Sequence, residues 1–252
     1  MLAKWRLIAM ALPFALGVLV LRYFVHSVLN VEGALSFGDS GAVITGAAII
    51  MGLMLNGVIG DYREAEKLPA AVGGNLVAFE NFARRGFEVI DKDNTWVHDR
   101  LKPLAHAINE WILGRTDTGT MWAAYEDNSQ LIVDAAKAGV TIPYLNQLHA
   151  SNNSLGGALD RIDGIRKTSF IRAGYALLEF LVAVVLGAMV VCDFSPGIAA
   201  WLIPSAIAMV YSFMVLFIRD LDNPFGYGDN SGKGSAADVD LDAWTAIYNL
   251  YK

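Results

Sequence analysis

Cysteine and charged residues are both scarce in this chain of 252 residues. Cys192 is its one cysteine, so the chain can form neither an internal disulfide nor a metal site built from several thiolates. Charged residues make up 17% of the sequence, whereas soluble domains usually contain about 25%. The formal net charge is -6, and no basic tract is longer than two residues. These features argue against a nucleic-acid partner and against an ordinary soluble protein.

Signatures of catalysis and of metal binding are also lacking. The sequence has no nucleophile with a neighbouring base, no phosphate-binding glycine loop and no metal-ligand constellation. His98 and His106 are eight residues apart, which is not a ligand spacing. A calcium loop starting at Asp220 would need glycine at its sixth position, where this chain has Phe225. We therefore predict that the protein is not an enzyme and holds no metal ion or cofactor.

Long hydrophobic runs are abundant. The hydrophobic content is 55%, and it concentrates in residues 7–29, 41–60, 173–192 and 197–218. A helix rises about 1.5 Å per residue, so each run can cross about 30 Å of hydrocarbon. The first run is too long for a signal peptide and no small-residue cleavage site follows it, so we expect an uncleaved helix.

The stretch between the two pairs of runs is polar and shows no strand-like alternation. We therefore predict an all-α integral membrane protein with four transmembrane helices, two N-terminal and two C-terminal, around a central helical cytoplasmic domain. The predicted divisions are residues 1–60 for the first two transmembrane helices, 61–172 for the cytoplasmic domain, 173–218 for the last two transmembrane helices, and 219–252 for a cytoplasmic tail.

The placement of lysine and arginine predicts the orientation. The short connectors, residues 30–40 and 193–196, contain neither residue. By the positive-inside rule, the N-terminus, the central domain and the C-terminus are cytoplasmic, in what we expect to be a bacterial inner membrane. Arg22, near the outer end of the first helix, is the exception to this pattern. Ser40 is expected to be the N-cap of the second membrane helix.

Local signals predict the helices of the central domain. The second membrane helix is expected to continue past residue 61 and to kink at Pro69. Further helices are expected from Asn94 or Thr95 to Leu113, over residues 121–138, and from Pro143 onward. The last carries apolar residues at heptad spacing with one asparagine: Leu145, Leu148, Asn152, Leu155, Leu159 and Ile162. This seam fits either a contact between subunits or packing within one subunit.

One face of the second membrane helix combines small, mildly polar and bulky apolar residues. Its members are Thr45, Ile49, Gly52, Leu53, Asn56 and Gly60. Such a face fits a pore wall, in which Ile49 and Leu53 constrict the path and Asn56 receives ions at its cytoplasmic end. It fits equally well the close packing of helices through small residues, with Asn56 hydrogen-bonded between them.

Three stretches of the sequence carry motifs of a known membrane-protein family. "GLMLNGVIGDYREAEKLP", residues 52–69, resembles the second helix of bestrophins and the segment that follows it. "RDLDNPFGYGDN", residues 219–230, resembles the segment after their last membrane helix. "LDRIDGIRKTSF", residues 159–170, resembles the bestrophin-like family in particular. The helix-exit motif in this chain comprises Arg219, Asp220, Asp222, Asn223, Pro224, Phe225 and Gly226.

The resemblance implies a homopentameric channel that conducts small inorganic ions across the lipid bilayer through a neck lined by the second helix. Thr45, Ile49 and Leu53 would occupy the neck, where animal bestrophins have phenylalanines. The Asn-Pro-Phe-Gly element is followed by "YGDNSGKGS", in which Asp229 is the one acid, where animal bestrophins have a dense acidic calcium clasp. The alternative is a non-conducting membrane scaffold or sensor that acts through its cytoplasmic helices.

The resemblance and the local signals together predict how the chain leaves the membrane. Arg219 and Asp220 are expected to end the last membrane helix at the interface, and Pro224 to prevent its continuation. Gly226 would permit the turn that follows. The aromatic residues Trp244, Tyr248 and Tyr251 predict a short docking helix, which could bind its own subunit or a neighbouring one.

Overall fold

The computed structural model describes residues 3–29, 35–167, 172–194, 197–228 and 237–252. The chain forms two compact units. The first unit comprises the described residues within 1–61, 169–222 and 235–237. The second unit comprises the described residues within 62–168, 223–234 and 238–252.

Helices dominate both units, which confirms the prediction of an all-α protein. The first unit contains α1 (Ala3–Ser27), β1 (Leu35–Ser36), most of α2 (Phe37–Ala65), α7 (Arg172–Val191), β2 (Cys192–Asp193) and α8 (Ala199–Leu221). The second unit contains α3 (Leu68–Val89), α4 (Trp96–Ile112), α5 (Thr118–Ala138), α6 (Ile142–Lys167), a 3-10 turn (Gly226–Gly228) and α9 (Asp242–Tyr248).

The first unit has the surface of a membrane protein. Among the described residues, four helical stretches are long and apolar enough to cross a bilayer, namely Trp5–Val28, Phe37–Val89, Ala173–Val191 and Ala199–Leu221. The second stretch begins in the first unit and continues into α3 of the second unit. Large apolar side chains such as Val20, Phe180 and Leu202 are exposed on these helices. A soluble unit would bury most such side chains, whereas lipid solvates them.

Small residues let the helices of the first unit approach closely. Ala11, Ala15, Val18 and Arg22 recur every three or four residues on α1, and all four are buried. This face of α1 packs against α7 and α8, where Ala208 is fully buried. Close packing of small side chains is a usual source of attraction between helices in lipid.

The connectors of the first unit meet in a short parallel ladder. Leu35 of β1 pairs with Cys192 of β2, and Ser36 pairs with Asp193. Ser36 also precedes α2, and its hydroxyl accepts a hydrogen bond of 3.1 Å from the backbone N–H of Asp39. Ser36 therefore caps α2.

The prediction that Ser40 is the N-cap is wrong, because α2 begins three residues before it. The Ser40 hydroxyl instead lies 3.3 Å from the backbone oxygen of Ser36 and 2.8 Å from Sγ of Cys192. Ser40 thus joins the first turn of α2 to the strand ladder.

The core of the second unit is built around α3. Leu76, Phe79 and Ala83 of this helix are fully buried, and α3 packs mainly against α6. On α6 the predicted seam faces this core, where Leu148 and Leu155 are fully buried. The seam therefore packs within its own chain, which is the second of the two interpretations that the heptad spacing left open.

Several helix boundaries follow the local signals. α2 ends at Ala65, and α3 begins at Leu68 with Pro69 in its first turn, so the chain breaks where the proline predicted a kink. α4 begins directly after Thr95. α5 begins three residues earlier than predicted, because Asp117 caps it by accepting a hydrogen bond of 2.9 Å from the backbone N–H of Thr120.

Candidate functional site

All six predicted pore residues lie on one exposed face of α2. Ile49 is 60% exposed and Leu53 is 69% exposed. The other members of this outward face, Thr45, Gly52, Asn56 and Gly60, are exposed as well. The opposite face is buried, since Ala47 and Val58 are each 1% exposed.

Two glycines of this outward face are not explained by packing within the chain. A Cβ atom added at Gly52 or Gly60 would meet no atom within 4 Å apart from near neighbours in the helix. Glycine in a helix costs about 1 kcal/mol relative to alanine. These two glycines therefore fit a surface that something outside the chain approaches or passes.

One polar contact holds α2 to α8. The hydroxyl of Tyr211 donates a hydrogen bond of 2.5 Å to the backbone oxygen of Ile44. Tyr211 is largely buried, and Ile44 lies one residue before Thr45. The contact therefore holds the part of α2 around Thr45 against α8.

Arg22 forms a buried polar centre in the first unit, beside the strand ladder of β1 and β2. Its Nη1 donates hydrogen bonds to the backbone oxygens of Met189, at 3.1 Å, and Cys192, at 2.5 Å. Its guanidinium carbon lies 4.9 Å from the ring centre of Phe194. His26 adds a contact of 3.2 Å between Nε2 and the backbone oxygen of Val190.

These contacts explain the exception to the positive-inside pattern. The last carbonyls of a helix have no partner within the helix, and lipid cannot supply one. Arg22 provides donors to the end of α7, and its positive charge suits the negative end of the helix dipole. The role was not predicted, because the partners lie about 170 residues away, although an arginine inside an apolar run signals some function.

A second polar cluster lies near the opposite end of α7. Arg219 of α8 forms an ion pair with Glu179 of α7 through Nη2 and Oε1. The hydroxyl of Tyr175 hydrogen-bonds to Asp222. The ion pair and this hydrogen bond both join α7 to the last turn of α8.

The helix-exit motif is divided between the two units. α8 continues through Leu221 and is capped at Asp222, so the prediction that Arg219 and Asp220 end the helix is wrong. The backbone N–H of Asp222 donates a hydrogen bond of 3.1 Å to the backbone oxygen of Ile218, so the helical hydrogen bonds continue past both residues. The remaining motif residues belong to the second unit.

Within the second unit, the motif anchors the chain. Phe225 is buried in the core, and the backbone N–H of Val239 donates a hydrogen bond of 2.9 Å to the backbone oxygen of Pro224. A Cβ atom at Gly226 would come within 3.0 Å of the side-chain nitrogen of Asn223. Close approach of Asn223, rather than a positive φ, therefore explains this glycine. Asp229 lies outside the described residues.

The tail helix docks on its own chain. Trp244 of α9 is fully buried and its indole nitrogen donates a hydrogen bond of 3.3 Å to Oδ1 of Asn109. Tyr251 donates a hydrogen bond of 2.7 Å to Oε2 of Glu80, and its ring stacks on His98. Burial and this hydrogen bond raise the pKa of Tyr251.

His106 hydrogen-bonds to this tail, whereas His98 stacks on Tyr251 and hydrogen-bonds to Glu80 of α3. Nδ1 of His98 lies 3.1 Å from Oε1 of Glu80, and Nδ1 of His106 lies 3.1 Å from the hydroxyl of Tyr248. Among the described residues, no three or more His, Cys, Asp or Glu side chains form a group that could hold a metal ion.

Comparisons with solved structures give full-length matches. A crystal structure of a bacterial bestrophin homologue from Klebsiella pneumoniae, phased with zinc, has a TM-score of 0.73 at 12% identity, covering 97% of this chain and 96% of that one. The chain has the bestrophin fold. Two single-residue variants of that homologue match the same fold. One has a TM-score of 0.74 at 12% identity over 97% of both chains. The other has a TM-score of 0.72 at 12% identity over 98% of this chain and 97% of that one.

No protein-family model and no curated protein matches the sequence. The folds are therefore similar, although an identity of 12% is too low for residue roles to be transferred by alignment. The short motifs at residues 52–69 and 219–230 nevertheless predicted the fold that the whole-chain comparison finds.

Proposed function

We propose that the protein is a bestrophin-like ion channel. In this proposal a homo-oligomer, most simply a pentamer, conducts small ions passively along a central path lined by α2 of each subunit. The observation that carries the proposal is the outward face of α2, where all six predicted residues are exposed together while the opposite face is buried. The full-length match to bacterial bestrophin homologues supports it.

The side chains of this face suggest how the path is controlled. Ile49 and Leu53 are bulky and exposed, so a ring of each would form an apolar constriction that gates by its width and its wetting. Gly52 leaves room beside them. Asn56 lies about 4.5 Å further along the helix axis than Leu53 and would offer an amide to ions that leave or enter the constriction.

The proposed orientation places the N-terminus, the second unit and the C-terminus in the cytoplasm of a bacterial cell. The absence of lysine and arginine from residues 30–40 and 193–196 supports it. Arg22 does not weaken it, since this residue lies within a helix and is bound to backbone carbonyls rather than in a loop.

A flux assay in liposomes tests the pore assignment. Ile49→Ala and Leu53→Ala, made together, would widen the apolar constriction, so we expect a higher ion flux than in the wild type. Val43→Ala is the matched control, because Val43 is also exposed on α2 but lies off the proposed pore face.

Two results would count against the proposal. If the wild type conducts and the double variant behaves like Val43→Ala, then α2 does not line the path. If the purified wild type passes no ions, the non-conducting scaffold or sensor becomes the better account.

A further inference from the structure

A groove in the first unit runs between α7 and α8 and opens beside α1. Its volume is about 300 Å³, at the lower end of the range for ligand pockets, which is about 300–1,000 Å³. Its walls are mostly apolar and include Phe14, Val182, Ala183, Leu186 and Val215. The groove therefore suits a hydrocarbon chain.

The mouth of this groove is charged. Glu179 and Arg219 line the groove and also line an adjoining hollow of about 470 Å³, to which Tyr175 and Asp222 contribute. The side chains of Arg219 and Glu179 are 51% and 52% exposed, so both can bind a further group while they contact each other. Arg219 lies near the end of α8, where a membrane helix reaches the level of lipid headgroups.

A buried hydroxyl lies inside the groove. Ser212 of α8 is 4% exposed, and its Oγ has no hydrogen-bond partner among the described residues. A serine in a membrane helix usually satisfies its hydroxyl on a preceding carbonyl or on a neighbouring helix. A buried hydroxyl without a partner is unfavourable, which points to a polar atom of a bound molecule.

We propose that the groove binds one acyl chain of a phospholipid whose headgroup carries a primary amine. The phosphate would contact Arg219, and the ammonium would contact the carboxylates of Glu179 and Asp222. A polar atom near the start of the acyl chain would accept a hydrogen bond from Ser212. The site requires neither ion conduction nor a particular number of subunits.

The charges at the mouth favour the amine headgroup. Two carboxylates against one guanidinium leave the mouth with one net negative charge. A purely anionic headgroup would be attracted by Arg219 but repelled by the two carboxylates. Phosphatidylethanolamine has a phosphate for Arg219 and an ammonium for the carboxylates. Phosphatidylcholine carries a positive charge but no N–H donors for the carboxylates.

Lipid binding to the detergent-purified protein tests the proposal. Delipidated protein is titrated with phosphatidylethanolamine, phosphatidylglycerol and phosphatidylcholine of identical acyl chains, and bound lipid is counted by native mass spectrometry. We expect about one phosphatidylethanolamine per subunit. We expect Glu179→Gln to reduce the preference for phosphatidylethanolamine over phosphatidylglycerol by roughly fivefold.

A pair of variants on α7 tests the groove itself. Ala183 lines the groove and is exposed, so Ala183→Phe would block it without disturbing the core. Val184→Phe adds similar bulk at a neighbouring exposed position that does not line the groove. We expect loss of bound lipid only in the first variant.

Three outcomes would overturn the proposal. The wild type could retain the three lipids equally, or Ala183→Phe could leave phosphatidylethanolamine binding unchanged. The third outcome is that Ala183→Phe disrupts the oligomer while Val184→Phe does not, and that no lipid is retained by the wild type. That outcome would identify the groove as a contact between two copies of the chain.

Discussion

Replacement of Arg22 by methionine should destabilise the first unit. The change retains a long, flexible, apolar side chain but removes the donors that bind the backbone oxygens of Met189 and Cys192, at 3.1 Å and 2.5 Å. It also removes the cation from the face of Phe194, 4.9 Å away. The end of α7 would then have unpaired carbonyls in a site that water does not reach.

The expected magnitude follows from opposing terms. Hydrogen bonds from a charged donor contribute about 1.5–3 kcal/mol each, whereas polar contacts between membrane helices average about 0.6 kcal/mol. The contact with the aromatic ring adds about 0.5–2 kcal/mol. Arg22 is only 5% exposed, so its burial carries a desolvation cost. The variant is relieved of this cost, which offsets part of the lost stabilisation. We expect a net loss of about 2 kcal/mol.

Thermal unfolding of the detergent-purified protein measures this loss. Arg22→Met should lower the midpoint clearly, and Arg22→Lys should fall between it and the wild type, because an ammonium keeps the charge but lacks the fork of donors. Leu21→Met is the matched control at an exposed neighbour and should have little effect. If Arg22→Met unfolds at the same temperature as Leu21→Met, the structural role assigned to Arg22 is refuted.

Two further predictions concern the second unit. Gly156→Ala should cost about 1–3 kcal/mol in thermal unfolding, because its Cβ would lie 2.6 Å from the hydroxyl of Tyr125. Gly157→Ala, whose Cβ meets nothing, should stabilise by up to about 1 kcal/mol, and equal losses in both variants would contradict the argument. Glu64→Gln should cost under about 1 kcal/mol near pH 7, because Arg161 binds an exposed carboxylate. The hydrogen bond from Arg161 lowers the pKa of Glu64. The difference in stability between the wild type and Glu64→Gln should therefore disappear as the pH falls below about 4, where the carboxylate becomes protonated. A stability difference that grows on acidification would contradict this prediction.

The features that local sequence determines were largely predictable. The apolar runs indicated the four membrane-length helices, because length and composition alone decide whether a helix can cross a bilayer. The break near Pro69 was predictable, because proline favours the first turn of a helix. The six residues of the outward face of α2 were selected by helical spacing, and all six are exposed in the structure.

Contacts between distant segments were not predictable in the same way. Arg22 and Ser212 depend on partners or cavities formed by other helices, and no spacing in the sequence indicates them. Asn152 looked like a register-setting residue of a coiled coil, but its side-chain nitrogen donates hydrogen bonds to Tyr125, at 2.9 Å, and Ser129, at 3.0 Å, on α5. The heptad spacing specified a buried seam, whereas the partner of that seam was determined by the packing of the second unit.

The mass of the detergent-solubilised complex, followed by ion flux in liposomes that hold the same complex, tests the central claim most directly. The channel proposal predicts five copies of the 27.3 kDa chain and passive ion flux. A monomer or dimer that passes no ions would contradict it, and the outward face of α2 would then require another partner.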